Sequence, residues 1–337
     1  MDWGMLGHQW AVDMLAEHVV KRQVRHAYLF TGPPGIGRRT LALRLAQALN
    51  CPTPVLPGQP CGVCPTCARL GRLQHPDLSV VQAEQEGGTL KVEQVRELQH
   101  TLSLAPYEAS YRVALLLRFE EAHPSAANAL LKTLEEPPAQ VIMILTAESV
   151  ERLLPTIVSR CEVIHLRLLP LEEANRGLHE RWGLPVEQAR LLAHVSGGCP
   201  GYALRLHEQP DLLAQRRSWL DDLATLLAAN RRERFAYASS LKDDKDAMRA
   251  VLQVWLSFWR DVFLRTSGAA VPLTNLDYTG QIHELAEHCS LAKAQAMVAS
   301  LVRTLEGLDR NVNARLALEV LLLDLPRIPA SFSVKDD

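Results

Sequence analysis

The sequence has 337 residues, 47% of them hydrophobic and 22% charged, with a formal net charge of −2. That length predicts two or three domains, and the composition excludes a disordered or fibrous chain. The near-neutral charge argues against a surface that clamps nucleic acid or an anionic membrane unaided, while leaving room for DNA contacts shared with partner chains.

Met1 to Gln9 carries no basic leader, and no apolar run reaches the ~18–20 residues of a spanning helix, so a soluble cytoplasmic protein without a membrane partner is expected. Seven cysteines in such a chain argue against a disulfide framework. Residues 8–23 show helical spacing, with Trp10, Met14, Leu15 and Val19 on one stripe. His26 to Phe30 reads as a short apolar strand feeding Gly32-Pro33-Pro34-Gly35-Ile36-Gly37-Arg38-Arg39-Thr40. Thr40 to Asn50 follows as a helix with Leu41, Leu45, Ala48 and Leu49 inward. Strand, glycine loop and helix give the outline of a phosphate-binding loop, G-x-x-x-x-G-K-[ST]. In such a loop backbone N–H groups cradle phosphates, the lysine reaches the β/γ-phosphates and the hydroxyl holds Mg²⁺. Here Arg38 and Arg39 occupy the lysine and hydroxyl places.

Cys51, Cys61, Cys64 and Cys67 come next, spaced C-x9-C-x2-C-x2-C. Closely spaced thiols in tight turns converge on one tetrahedral ion, and four protein ligands leave no open position, so the pattern points to structural zinc. An iron–sulfur cluster is the second reading, and unliganded loop cysteines the third. His75-Pro76-Asp77 leads into a second strand, residues 91–104 make a helix, and Arg112 to Leu117 is a strand buried on both faces. Glu120 and Glu121 follow that strand, at the sheet edge where open α/β folds hold ligands. They read equally as a metal-binding and water-orienting pair or as the acidic start of the next helix.

Pro124 to Glu136 is helical, Val141 to Thr146 and Val163 to Leu166 are strands, and the alternation predicts a parallel α/β sheet. Between those two strands lies Ser159-Arg160-Cys161. Arg160 reads either as a local salt-bridge partner or as a guanidinium held out for a neighbouring subunit's phosphate. Beyond Pro170 the pattern turns helical, with short segments over 171–207 and longer ones from about 210, including the Trp255 and Trp259 stripe. Ser331 to Asp337 read as a frayed end.

These stretches together resemble the clamp-loader subunits of bacterial DNA polymerase III, most closely the delta prime family. The resemblance rests on Gly7-His8-Gln9, His26-Ala27-Tyr28-Leu29-Phe30, the four cysteines, His75-Pro76-Asp77, Ala127-Asn128-Ala129-Leu130-Leu131-Lys132-Thr133-Leu134-Glu135-Glu136-Pro137 and Ser159-Arg160-Cys161. It implies a three-domain AAA+ protein: an α/β nucleotide-binding-type domain over 1–168 with a five-stranded parallel sheet and a zinc module at about 51–70, a helical lid over 169–208, and an all-α collar over 209–337. It further implies gamma/tau and delta subunits as partners in a hetero-oligomer, a sliding clamp, and primed DNA met only within the assembly.

By the same resemblance Arg160 acts in trans at a neighbour's ATP site. A degenerate nucleotide site would comprise Gly32, Gly35, Gly37, Arg38, Arg39, Thr40, Glu120, Glu121 and Thr146, with ATP or ADP binding left open. Thr146 matches the sensor-1 region, and Gly198-Cys199-Pro200-Gly201 lacks the sensor-2 arginine of motor subunits. The expected function is a stator-like, non-hydrolysing subunit; the alternatives are an active gamma/tau-like ATPase and, disfavoured by charge, a stand-alone zinc-containing nucleic-acid binder.

Overall fold

The computed structural model describes residues 2–85, 87–241, 244–310 and 312–327, so the frayed segment expected at 331–337 lies outside the described residues. The chain divides into two compact units, Met1–Gly177 with Cys199–Tyr202, and Leu178–Gly198 with Ala203–Asp337.

The first unit holds a parallel sheet of β1 (Ala27–Thr31), β2 (Leu78–Val81), β3 (Arg112–Leu116), β4 (Val141–Ala147) and β5 (Glu162–His165), in the order β2-β3-β4-β1-β5. Every residue of β1, β3 and β4 is buried, which explains their largely apolar character, since helices cover both faces. Alternate side chains serve the two faces. Tyr28, Phe30, Leu115, Ile142 and Ile144 pack with α1 (Gln9–Val20) and α2 (Arg38–Asn50). Leu29, Leu116, Met143 and Leu145 pack on the other side with α4 (Val92–Leu102) and α5 (Pro124–Glu135). Between them in sequence, α3 (Pro65–Gly71) carries the last of the clustered cysteines, and the four-residue α6 (Pro155–Val158) precedes β5.

One expectation fails in α1. Trp10 is 53% exposed, and the buried residues are Ala11, Val12, Leu15 and Ala16. The buried stripe is thus rotated by one position from Trp10 toward Ala11, while Leu15 keeps its expected place in it.

The loop between α4 and β3 is pinned by Asp77, just ahead of β2. Its carboxylate accepts N–H bonds from Tyr107 (2.7 Å), Glu108 (2.9 Å) and Ala109 (3.0 Å), and one from Arg112 Nη2 (3.0 Å). One buried anion thus satisfies three backbone donors and a buried guanidinium, a structural role for the His75-Pro76-Asp77 run.

Helix α7 (Leu171–Trp182) runs across the division between units, as does α9 (Pro200–Glu208). The second unit is helical: α8 (Val186–Val195), α10 (Pro210–Ala228), α11 (Arg231–Ser240), α12 (Lys245–Thr266), α13 (Thr279–His288), α14 (Leu291–Asp309) and α15 (Ala314–Asp324). Trp255 and Trp259 of α12 are fully buried at its centre. Arg234 donates to the carbonyls of Leu226, Leu322 and Leu325, supplying a cation to the C-terminal ends of α10 and α15. On α15 Leu316, Val320 and Leu323 are about half exposed and share one outer face. Among the described residues no helix is long and apolar enough to cross a membrane.

Candidate functional site

The parallel register brings the carboxyl ends of β1, β3 and β4 together, with Phe30 beside Thr146 and Leu116 beside Leu145. A cavity of about 940 Å³ opens there, lined by Gly35, Gly37, Arg38, Arg39, Thr40, Glu120, Glu121 and Thr146. Eight of the nine residues expected of a nucleotide site therefore share one cavity. The ninth, Gly32, shapes the loop behind it: its φ is +142°, an added Cβ would lie 2.4 Å from the Leu166 carbonyl oxygen, and its N–H donates to Glu148 O at 3.1 Å.

Helix α2 starts after Gly37, so no side chain caps its first N–H groups and its positive end faces the cavity. Arg38 is buried (9% exposed) and faces Glu120, with Nη1 and Oε1 4.0 Å apart. That separation is too long for a hydrogen bond, and both Arg38 Nη1 and Glu120 Oε2 lack a partner. Burial pulls the Arg38 guanidinium below its ordinary pKa, against Glu120 and Glu148, which favour its charge. Glu120 Oε1 accepts the Glu148 N–H at 3.2 Å. Glu121 is held by the Gly87 N–H and Arg118 Nε, each at 2.9 Å, and Thr146 Oγ1 accepts the Arg118 N–H at 3.0 Å. Arg39 and Thr40 are exposed on the cavity wall.

Segment Cys199–Tyr202 lies on the loop. The Gly201 N–H donates to Gly35 O at 2.9 Å and Cys199 Sγ to Pro34 O at 3.2 Å. An added Cβ at Gly201 would stand 2.5 Å from Gly35 O, so only glycine permits this approach. Reading the sequence missed Arg118, Glu148, Arg152 and the turn at Gly87-Gly88-Thr89. Glu148 follows Thr146 by two places at the end of β4, a position that marks the same sheet edge.

Arg160 lies outside that cavity. Its Nη2 pairs with Glu135 Oε1 at 2.5 Å and its Nη1 donates to Thr156 O at 2.8 Å, with a third of the side chain exposed. The local ion pair is therefore present, on the surface, between the two most distinctive runs of the sequence.

The four cysteines converge, with all four sulfurs within 4.8 Å of one another. The Cys61 N–H points at Cys51 Sγ, that of Cys64 at Cys61 Sγ, and that of Cys67 at Cys64 Sγ, at 3.3–3.4 Å. Backbone N–H groups of Cys64 and Val63 draw the Cys61 thiol down to about 6, while burial raises Cys51 and Cys67. Thiolates ~2.3 Å from a common tetrahedral ion stand ~3.8 Å apart, so this set can hold a metal ion.

A family model described as DNA polymerase III, delta subunit, matches residues 7–170, and one described as DNA polymerase III, delta subunit, C terminal, matches residues 210–327. The DNA polymerase III subunit delta' of Pseudomonas aeruginosa is 32% identical over 331 residues, covering 96% of this chain and 98% of its own length. The DNA polymerase III subunit tau of Salmonella typhimurium is 33% identical over 210 residues, 61% of this chain and 32% of that protein. A solved structure of a DNA polymerase III gamma subunit-related protein from Thermotoga maritima aligns over 93% of this chain and 97% of its own, at 19% identity and a TM-score of 0.48.

Proposed function

This chain belongs to the family of DNA polymerase III delta prime subunits, and on that premise we propose that it serves as a non-hydrolysing subunit of the bacterial clamp loader. In this reading it assembles with gamma/tau and delta subunits in the cytoplasm, helps load a sliding clamp on primed DNA, and supplies Arg160 to the ATP site of the adjoining gamma/tau-type subunit. Residues 1–168 form the nucleotide-binding-type domain, 169–208 the lid and 209–337 the collar. The exposed Leu316, Val320 and Leu323 face of α15 gives the collar an apolar surface to bury against partners.

One observation carries the absence of hydrolysis. A buried arginine, Arg38, faces Glu120 where a lysine should reach phosphate, and exposed Arg39 fills the place of the Mg²⁺-binding hydroxyl. Arginine is bulky and planar and always charged, so neither a compact ammonium nor a metal ligand is replaced. Loss of such cations and metal ligands costs a phosphoryl-transfer site several powers of ten. The chemistry passes instead to Arg160, whose guanidinium is at the surface. The four-cysteine cluster holds zinc in a closed structural site that orders residues 51–70.

Purified chain assayed alone should turn over no ATP with Mg²⁺ present. Turnover abolished by Arg38→Ala would instead establish the active-ATPase alternative. For Arg160 the assay is ATP turnover by the reconstituted loader.

A further inference from the structure

The helical second unit carries a cavity of its own, apart from every residue assigned a role above. Its volume is about 410 Å³, within the range of ligand pockets, and all of its lining comes from residues 288–327. Cys289, at the end of α13, and Met297 of α14 give it an apolar floor, at 5% and 2% exposed. Lys293 and Arg303 of α14 and Arg327, just beyond α15, line it from exposed positions.

These three cations make no ion pair among the described residues. Elsewhere in the same unit Arg216 is paired with Asp277 at 2.6 Å and Arg315 with Glu319 at 2.9 Å. The Arg327 charge is felt by its neighbours: burial first, and then Arg327, pull the Arg234 guanidinium below its ordinary pKa. Cations of one sign around a concave, partly apolar surface focus a positive potential into it. Asp324, the last residue of α15, is the one acid in the lining. Its Oδ2 accepts the Ser300 Oγ–H at 2.7 Å, which leaves Oδ1 open to a further donor.

We propose that this cavity docks an acidic segment of a partner protein. The segment's carboxylates meet Lys293, Arg303 and Arg327, an apolar side chain beside them rests on Cys289 and Met297, and a backbone N–H reaches Asp324. A nucleic-acid backbone matches the site less well. It has no apolar group for the floor and no N–H for Asp324, whose charge opposes a phosphate. The first turn of α14 is also taken, since Ser290 Oγ accepts the Lys293 N–H at 3.4 Å. The proposal stands independently of the phosphate loop and of Arg160.

The test is fluorescence anisotropy of a labelled peptide, four aspartates followed by phenylalanine, titrated with the purified full chain. Saturable one-site binding is expected, weakening as salt is raised. Lys293→Glu combined with Arg303→Glu should weaken it by about tenfold or more, because attraction becomes like-charge repulsion. Ala296→Phe, at an exposed α14 position in the lining, should fill the cavity and abolish binding. Arg190→Glu, exposed on α8 outside the lining, should leave affinity within about twofold, showing that net charge alone is not responsible. No saturable binding, or an affinity unchanged in either cavity variant, would overturn the proposal. So would equal binding of a peptide with serine in place of phenylalanine, or displacement of the peptide by a lower concentration of single-stranded oligonucleotide, which would assign the site to nucleic acid.

Discussion

Arg160 can serve a neighbour's site only if leaving Glu135 costs little, and the geometry sets that cost. The contact is short, 2.5 Å, but the side chains are 33% and 51% exposed, so water and salt screen it. Ion pairs this exposed contribute ~0.2–1 kcal/mol, and at the upper figure roughly one guanidinium in six is unpaired at equilibrium. An arginine stabilising phosphoryl transfer in trans is worth on the order of 10³–10⁵ in rate, about 4–7 kcal/mol. The two roles are therefore separable by magnitude. Arg160→Ala should change the unfolding free energy of this chain by less than about 1 kcal/mol and leave assembly intact. In single-turnover measurements on the reconstituted loader it should slow the adjoining ATP site by on the order of 10³-fold or more, and steady-state turnover should fall by at least that site's share. Glu135→Gln should leave the same site within about fivefold of its normal rate, because only the exposed pair is lost. An Arg160→Ala loader with unaltered single-turnover kinetics would refute the argument. So would destabilisation of the isolated chain by more than about 2 kcal/mol, the mark of a buried structural pair.

Four further outcomes are expected. Asp77→Ala strands the buried Arg112 and three backbone donors, so urea denaturation should register a loss of about 3–5 kcal/mol; a loss under 1 would place the burden elsewhere. Burial alone would raise the Asp77 carboxyl, but the N–H groups of Glu108, Tyr107 and Ala109 and the Arg112 guanidinium outweigh it and hold it low. Its contribution is therefore complete above the unfolded carboxylate value of ~3.9 and is lost as pH falls through the folded value, so Asp77→Asn should flatten the acid limb of the stability curve. Serine at both Cys61 and Cys64 should abolish bound metal and increase proteolysis across 51–70; wild-type protein holding far less than about one zinc per chain by elemental analysis would refute the zinc assignment. Gly201→Ala must displace Gly35 O or its own segment and should lower thermal stability by about 1–3 kcal/mol; a wild-type melting curve would show that the 2.5 Å approach is not maintained in solution.

Much of the fold is local in origin and was therefore legible. Strands β1, β3 and β4 are read as continuous apolar runs because both faces of the sheet are covered, and the glycines at 32, 35 and 37 mark a loop whose φ values of +142°, +82° and +110° exclude side chains. The cysteine spacing likewise places four thiols in one tight segment, where the sulfurs meet. These features depend on residues near one another in the chain.

What the sequence left open were choices between partners far apart along it. Trp10 fits a helical stripe as well as Ala11 does, and only the packed structure shows the indole outward and Ala11 buried. Arg38 is read as a substitution in a loop, but its burial against Glu120 follows from β1 and β3 both ending at one edge of the sheet. Position alone gave Arg160 two readings, of which the family resemblance favoured the trans role, and only the fold brings Glu135, 25 residues away, within 2.5 Å and leaves the pair at the surface. Periodicity and backbone conformation are properties of short stretches, whereas a charge takes its meaning from its neighbours and from how much water remains beside it, and those are set only when the elements pack.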